Sequence, residues 1–229
     1  MRNCARFAIC FLVALPVFAQ QKEDSRLKES YTVLKEILGM LDKGIPRDLL
    51  NKSYCVVVYP SVKKAAFVVG GSYGRGIMTC RTGESYRGPW SAPAMFALEG
   101  GSFGLQIGGE ATDFVLLIMN DRGAQSVLSS KVKLGADASA AAGPVGRTAS
   151  AETDIVMKAE ILSWSRARGI FGGVSLEGST MRSDDGANKD LYGKELSAKD
   201  IVRGGKVHTP ADGQPLIGLL HKTSPKHIS

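Results

Sequence analysis

Cys55-Val56-Val57-Val58-Tyr59-Pro60-Ser61-Val62-Lys63-Lys64-Ala65-Ala66-Phe67-Val68-Val69-Gly70-Gly71-Ser72-Tyr73-Gly74-Arg75-Gly76-Ile77-Met78-Thr79-Cys80 holds three apolar runs, at 56–59, 65–69 and 76–80, separated by Pro60-Ser61 and Gly70-Gly71. Short runs of β-branched and aromatic residues bounded by turn formers read as strands, being too brief for helices. Outward from this stretch the same pattern recurs at Met95–Leu98, Phe103–Ile107 and Phe114–Met119, with a turn at Asn120-Asp121. A further hairpin is expected from Lys158–Arg166 and Ile170–Gly178, turning at Arg168-Gly169, while the Ala-rich stretch 135–146 suits either a strand or a tight crossing. Close spacing favours antiparallel order. Many of the 27 glycines fall inside these strands, and glycines there mark bends, bulges and close backbone approach. The body is therefore expected to be a curved or barrel-like, mainly antiparallel sheet.

Helical periodicity flanks the body on both sides. In the head, Leu27, Tyr31, Leu34, Leu38 and Leu41 recur at spacings of four and three, an amphipathic helix with Asp24 or Ser25 as its cap. Gly44 suits a left-handed stop, and Pro46 opens a short second helix through Leu49 and Leu50. In the tail, a short helix is expected from Asp184-Asp185-Gly186 to Tyr192, then a Ser197/Asp200 capping box, then a helix from Pro210 to His221. Residues 222–229 are expected to fray. The class is α+β: one domain with a helical head (24–52), a Gly-rich strand body (53–180) and a helical tail (184–221), the helices covering the sheet.

The first nineteen residues read as an export signal. Arg2 and Arg6 precede the apolar run Phe7–Val17, and Val17-Phe18-Ala19 offers small residues for cleavage after Ala19. About eleven apolar residues fall short of the roughly 20 that span a bilayer. The domain would then be 20–229, in the periplasm or secreted. The chain has 229 residues, 44% hydrophobic and 22% charged, which excludes wholesale disorder and fibrous architectures. Its formal charge is +7; without Arg2 and Arg6 the basic residues fall from 29 to 27 against 22 acids, leaving +5. Residues 65–180 are balanced, so the excess belongs to the two ends. Outside the cytoplasm such ends point to anionic lipid headgroups rather than nucleic acid.

Cys55 and Cys80 remain after removal of Cys4 and Cys10, and in an oxidising compartment they form either one disulfide or two buried thiols. Gly-x-Ser-x-Gly occurs at 70–74 and at 100–104. A hydrolase elbow needs a helix after the serine, whereas both strings continue as strands, and the histidines (His208, His221, His227) all lie in the tail. The body carboxylates Glu99, Glu110, Asp113, Glu160 and Glu177 read as outward-facing or paired with Arg75, Arg147, Arg166 or Arg168. No ligand spacing for a metal is visible, so no catalytic residue, metal or cofactor is assigned.

Several ordered motifs carry a resemblance. Ile45-Pro46 with Leu49-Leu50, the stretch Val56 to Gly71, Trp90-Ser91-Ala92-Pro93-Ala94, Gly100 to Gly108, Gly135-Ala136-Asp137-Ala138-Ser139, Ala142 to Arg147 and Gly173 to Gly178 resemble the SYLF-domain family. The resemblance covers about 27–192. It implies a non-enzymatic lipid-binding module, with phosphoinositide recognition in eukaryotic members and actin binding in yeast ones. An export signal argues against the actin role and makes anionic phospholipid at a membrane surface the expected partner. A structural or interaction module of the envelope, with a protein partner, is the alternative. Arg47, Lys52, Lys63 and Lys64, flanking the second helix and the first expected hairpin turn, are the candidates for headgroup contact.

Overall fold

In the computed structural model, which describes residues 14–40, 44–66, 70–102, 110–129, 131–145, 158–167 and 170–227, the 55–80 stretch is an antiparallel ladder. Strand β1 runs Cys55–Ala66 and β2 runs Gly70–Cys80. Pro60-Ser61 is not a turn. The ladder slips between Val58 and Lys63, Ser61 takes a φ of 57°, and its amide donates to Asp113 Oδ1 at 2.8 Å. Proline gives the ladder no N–H, so the strand bulges at that point and then resumes. Gly70 and Gly71 likewise belong to β2, opposite Ala66 and Ala65. Phe67–Val69 and the expected strand Phe103–Ile107 lie outside the described residues.

The remaining strands are β3 (Ala94–Ser102), β4 (Glu110–Ile118), β5 (Val132–Lys133), β6 (Ala140–Ala142), β7 (Ile161–Ala167), β8 (Ile170–Gly173) and β9 (Thr180–Ser183). They form one curled sheet in the order β5-β9-β3-β2-β1-β4-β7-β6, with β8 on the rest of the β7 edge. Among the described strands all pairings are antiparallel except β6 with β7. Between β4 and β5 stands α3 (Asp121–Ser129), a helix within the expected strand body, started by Asn120 Oδ1 accepting from the Gly123 amide at 2.8 Å. The β7–β8 hairpin forms where expected, although β8 stops at Gly173 and not at Gly178; its turn at 168–169 lies outside the described residues.

Both faces of this sheet are buried. Along β1, Cys55, Val57 and Tyr59 enter one core, with Phe96, Leu116, Ala124 and Val127 of α3, and Ile201 and Val202 of α5 (Ala198–Val202). Val56 and Val58 enter the other, beneath α1 (Ala14–Gly39), α2 (Arg47–Lys52), α4 (Asp185–Tyr192) and α6 (Gln214–Thr223). That double burial explains why 55–59 is an unbroken apolar run rather than an alternating one.

Cys55 and Cys80 face each other across β1 and β2 and are joined as a disulfide. The hydrogen bond from the Arg81 amide to Tyr54 O flanks them, so they occupy a narrow, non-hydrogen-bonded pair with Cα atoms 4.0 Å apart. The loop closed is 25 residues, and reduction should cost about 3 kcal/mol through the unfolded chain. We expect a lower denaturant midpoint with reductant and no such dependence in Cys55→Ala/Cys80→Ala; alkylation mass shifts with and without reductant report the bond itself.

The head helix departs from expectation at both ends. It runs through Asp24 and Ser25, which lie in a continuous stretch of good helix formers and cap nothing. Gly44 is not in the left-handed region; α1 has ended at Gly39, and a Cβ on Gly44 would come 2.3 Å from Ile37 O. The tail elements match: Asp184 caps α4, Ser197 Oγ accepts from the Asp200 amide at 3.1 Å, and a 3-10 turn (Ala211–Gly213) leads into α6. Residues 222–227 do not fray. Thr223 is helical, and Ser224 is fully buried.

Candidate functional site

The two basic ends of the sequence meet in space. Helix α1 packs on α4 and α6, which carries the segment after α6 to the C-terminal end of α2. Pro225 prevents α6 from continuing, Ser224 caps it, and the Ser224 hydroxyl hydrogen-bonds Leu50 O at 3.3 Å. His227 Nε2 lies 3.0 Å from Lys52 O; the carbonyl accepts, so Nε2 carries the proton. The Trp90 amide donates to His221 Nε2 at 3.1 Å.

Beneath this junction lies Arg81, with no exposure at all. Its Nη2 donates to Ser224 O at 3.0 Å and to Ser224 Oγ at 2.6 Å, and its guanidinium lies 4.3 Å from the centre of the Trp90 ring. Trp90 Nε1 donates to the same Ser224 carbonyl at 3.0 Å. Burial, with no carboxylate among the described residues opposing it, pushes the Arg81 pKa down to about 10, so the group stays charged at neutral pH. Arg203 lies 3.5 Å over the Tyr86 ring and donates to Arg81 O and Gly83 O, pinning this loop. The Tyr86 ring packs tilted against Tyr54 with centroids 4.7 Å apart, and Tyr54 meets His227 edge-on at 5.0 Å. Burial first, then the charges of Arg81 and Arg87, hold His227 below the ordinary histidine range, partly offset by its bond to Lys52 O.

On the elements that meet here Arg47, Lys52, Arg87, Lys222 and Lys226 are exposed, and none is paired with a carboxylate among the described residues. The acids on the same elements are Asp48 and Glu84. The junction is thus a cationic face with a desolvated guanidinium below it, suited to a surface rich in phosphate.

Only two of the four candidates from the sequence belong to it. Because β1 is one strand and not a strand-turn-strand, Lys63 stands eight residues along it from Cys55, about 26 Å away, and cannot join Arg47 and Lys52. Lys63 borders a separate cleft of about 350 Å³ with Arg26, Tyr73 and Arg75. Charge there is compensated: Arg26 pairs with Glu23, and Arg75 pairs with Asp184 at 2.9 Å and donates to the Tyr73 hydroxyl. Lys64 lies on the same end of β1, its side chain outside the described residues. Arg81, Arg87, Lys222 and Lys226 were missed; the surplus of basic residues in the tail was a signal for Lys222 and Lys226, while Arg81 and Arg87 lie in the charge-balanced body and had none.

The two Gly-x-Ser-x-Gly strings pair with each other, Gly70 opposite Ser102, Gly71 opposite Gly101 and Ser72 opposite Gly100. The Ser72 hydroxyl donates to Gly100 O at 3.4 Å, and strand rather than helix follows it. Three body carboxylates hold arginines: Asp113 takes Arg166, which also reaches Glu36 of α1, while Glu99 takes Arg182 and Glu160 takes Arg122.

Comparison with known proteins adds two findings. A family model described as "Ysc84: Las17-binding protein actin regulator" matches residues 99–223. An SH3 domain-containing protein of Schizosaccharomyces pombe is 34% identical over 203 residues, covering 87% of this chain and 46% of its own. LAS seventeen-binding protein 3 of Saccharomyces cerevisiae is 32% identical over 206 residues (88% and 43%), and SH3 domain-containing YSC84-like protein 1 of Rattus norvegicus 30% over 210 (91% and 60%). The chain spans about half the length of the yeast relatives it matches.

Proposed function

The chain belongs to the Ysc84 family of SYLF-domain proteins, and from that premise we propose that it is a non-enzymatic binder of anionic phospholipid surfaces in the cell envelope. The observation that carries this reading is the set of exposed cations on the elements that meet at the α2–α6 junction, Arg47 and Lys52 of α2, Arg87 of the loop after β2, and Lys222 and Lys226 at and just beyond the end of α6, together with buried Arg81. Each basic side chain near an anionic surface contributes about 1 kcal/mol, so five are sufficient for reversible peripheral attachment. Among the described residues no helix is long and apolar enough to cross a membrane. Residues 1–19 are read as an export signal with cleavage after Ala19, delivering the domain to the periplasm or the medium. The family description names Las17 and actin for its members. An exported chain meets neither, so the partner carried over is the lipid.

Flotation of the 20–229 chain with vesicles tests the reading. Vesicles of phosphatidylglycerol and phosphatidylcholine should carry the protein at low salt and release it at high salt, since exposed charges are screened within about 10 Å at 0.1 M. Equal recovery with pure phosphatidylcholine would refute an electrostatic attachment. Recovery with neither vesicle, together with a saturable envelope protein in pull-downs, would favour a protein-interaction module instead.

A further inference from the structure

A buried cation without a counter-charge is costly, and buried charges are as a rule paired, so an anion arriving at such a group meets a cation whose desolvation is already complete. Arg81 is fully buried, and no carboxylate among the described residues pairs with it. Its only side-chain acceptors are the two oxygens of Ser224, both on Nη2, while Nε and Nη1 are buried without a partner among the described residues. The planar guanidinium fork matches an oxyanion that offers several oxygens at once, and Ser224 meets only part of that capacity. Two further buried atoms of this junction, Asn51 Oδ1 and His227 Nδ1, also lack partners. Unmet polar atoms therefore concentrate where α2, the loop after β2 and segment 224–227 converge.

We propose that Arg81 is the receptor for a phosphate group, and that in this structure the Ser224 oxygens of the chain's own tail occupy its place. Among the described residues, segment 224–227 is held by Ser224, by the bond of His227 to Lys52 O and by the edge contact of His227 with Tyr54, and Pro225 and Lys226 are exposed. When the segment lifts, an arriving phosphate accepts from the Arg81 guanidinium and from Trp90 Nε1, replacing the Ser224 carbonyl that both now use. Arg87, Lys52 and, once protonated, His227 add positive charge around it. The exchange needs no proton transfer and no co-reactant. The phosphate is that of a lipid headgroup or of a free solute, and the lipid case rests on the attachment proposed above.

The test is a titration of the 20–229 chain with inorganic phosphate, following the indole N–H resonance and fluorescence of Trp90. A saturable response is expected, at least tenfold tighter in Ser224→Ala, which removes one competing oxygen, and at least tenfold weaker in Arg81→Lys, which keeps the charge but not the fork. Absence of a response in the unaltered chain and in Ser224→Ala overturns the proposal, as does unchanged affinity in Arg81→Lys. Should Arg81→Lys not fold, equal affinities of Ser224→Ala and the unaltered chain overturn it alone. Parallel flotation with phosphatidylglycerol vesicles separates the sources. Vesicle binding without a phosphate response removes this site and leaves the lipid reading; a phosphate response at Arg81 without flotation supports a solute phosphate and removes the lipid reading.

Discussion

Gly76→Ala should eliminate the cooperative folded state rather than weaken it. A Cβ at this position would lie 2.0 Å from Val58 O, 2.6 Å from Tyr59 Cδ1 and 2.9 Å from Tyr59 Cα. Two of those atoms belong to the backbone of β1, just before the Pro60 bulge, at the centre of a strand buried on both faces. Relief requires β1 and β2 to separate, which opens both cores together. Overpacking a side chain against other side chains costs about 1–3 kcal/mol. A backbone collision in the central ladder exceeds that and competes with a total stability of roughly 5–15 kcal/mol. Gly172 is the control, since a Cβ there meets nothing within 4 Å. Gly172→Ala should keep its Tm within a few degrees while Gly76→Ala shows no cooperative melt by circular dichroism. A near-normal melt for Gly76→Ala would mean that β1 and β2 do not approach in this register.

Reversing four charges, Arg47→Glu, Lys52→Glu, Lys222→Glu and Lys226→Glu, should reduce the partition onto anionic vesicles by about a thousandfold. All four side chains are exposed, so the fold should be unaffected. At about 1 kcal/mol lost per cation, and a further repulsive contribution from each new carboxylate, the change is more than 4 kcal/mol. Lys63→Glu, at the far end of β1, should leave binding within a factor of three. If the fourfold variant floats as well as the unaltered chain, or if Lys63→Glu alone removes binding, the junction is not the attachment face.

How much of this was legible differs from element to element. The strands around 55–59, 76–80, 95–98 and 114–118 could be read because β-branched runs and turn residues act locally, and the glycine content announced curvature. The Pro60 bulge could not: a proline followed by serine marks a turn in most contexts, and it is the pairing of residues 62–66 with β2 and β4 beyond it that makes the strand continue. Helix α3 had a signal that went unread, Asn120 as a starter followed by Ala124, Val127 and Leu128 at helical spacing. The candidate site was half legible. Arg47 and Lys52 are near in sequence and stay near in space, whereas the convergence of Arg81 with Ser224 joins residues 143 apart and is set by how α6 packs on α1. Composition registered a surplus of positive charge at both ends; the meeting of those ends is a property of the fold. The same fold separates Lys63 from Lys52, because a strand carries the chain away where a turn would have brought it back.

Amide hydrogen exchange with and without phosphatidylglycerol vesicles shows whether the α2–α6 junction is the face that meets an anionic membrane. Slowed exchange is expected over 47–54 and in peptides covering 81–90 and 214–222, with Lys63, Tyr73 and Arg75 unchanged. Protection confined to the Lys63–Tyr73–Arg75 end of the sheet, with the junction unaffected, would contradict it.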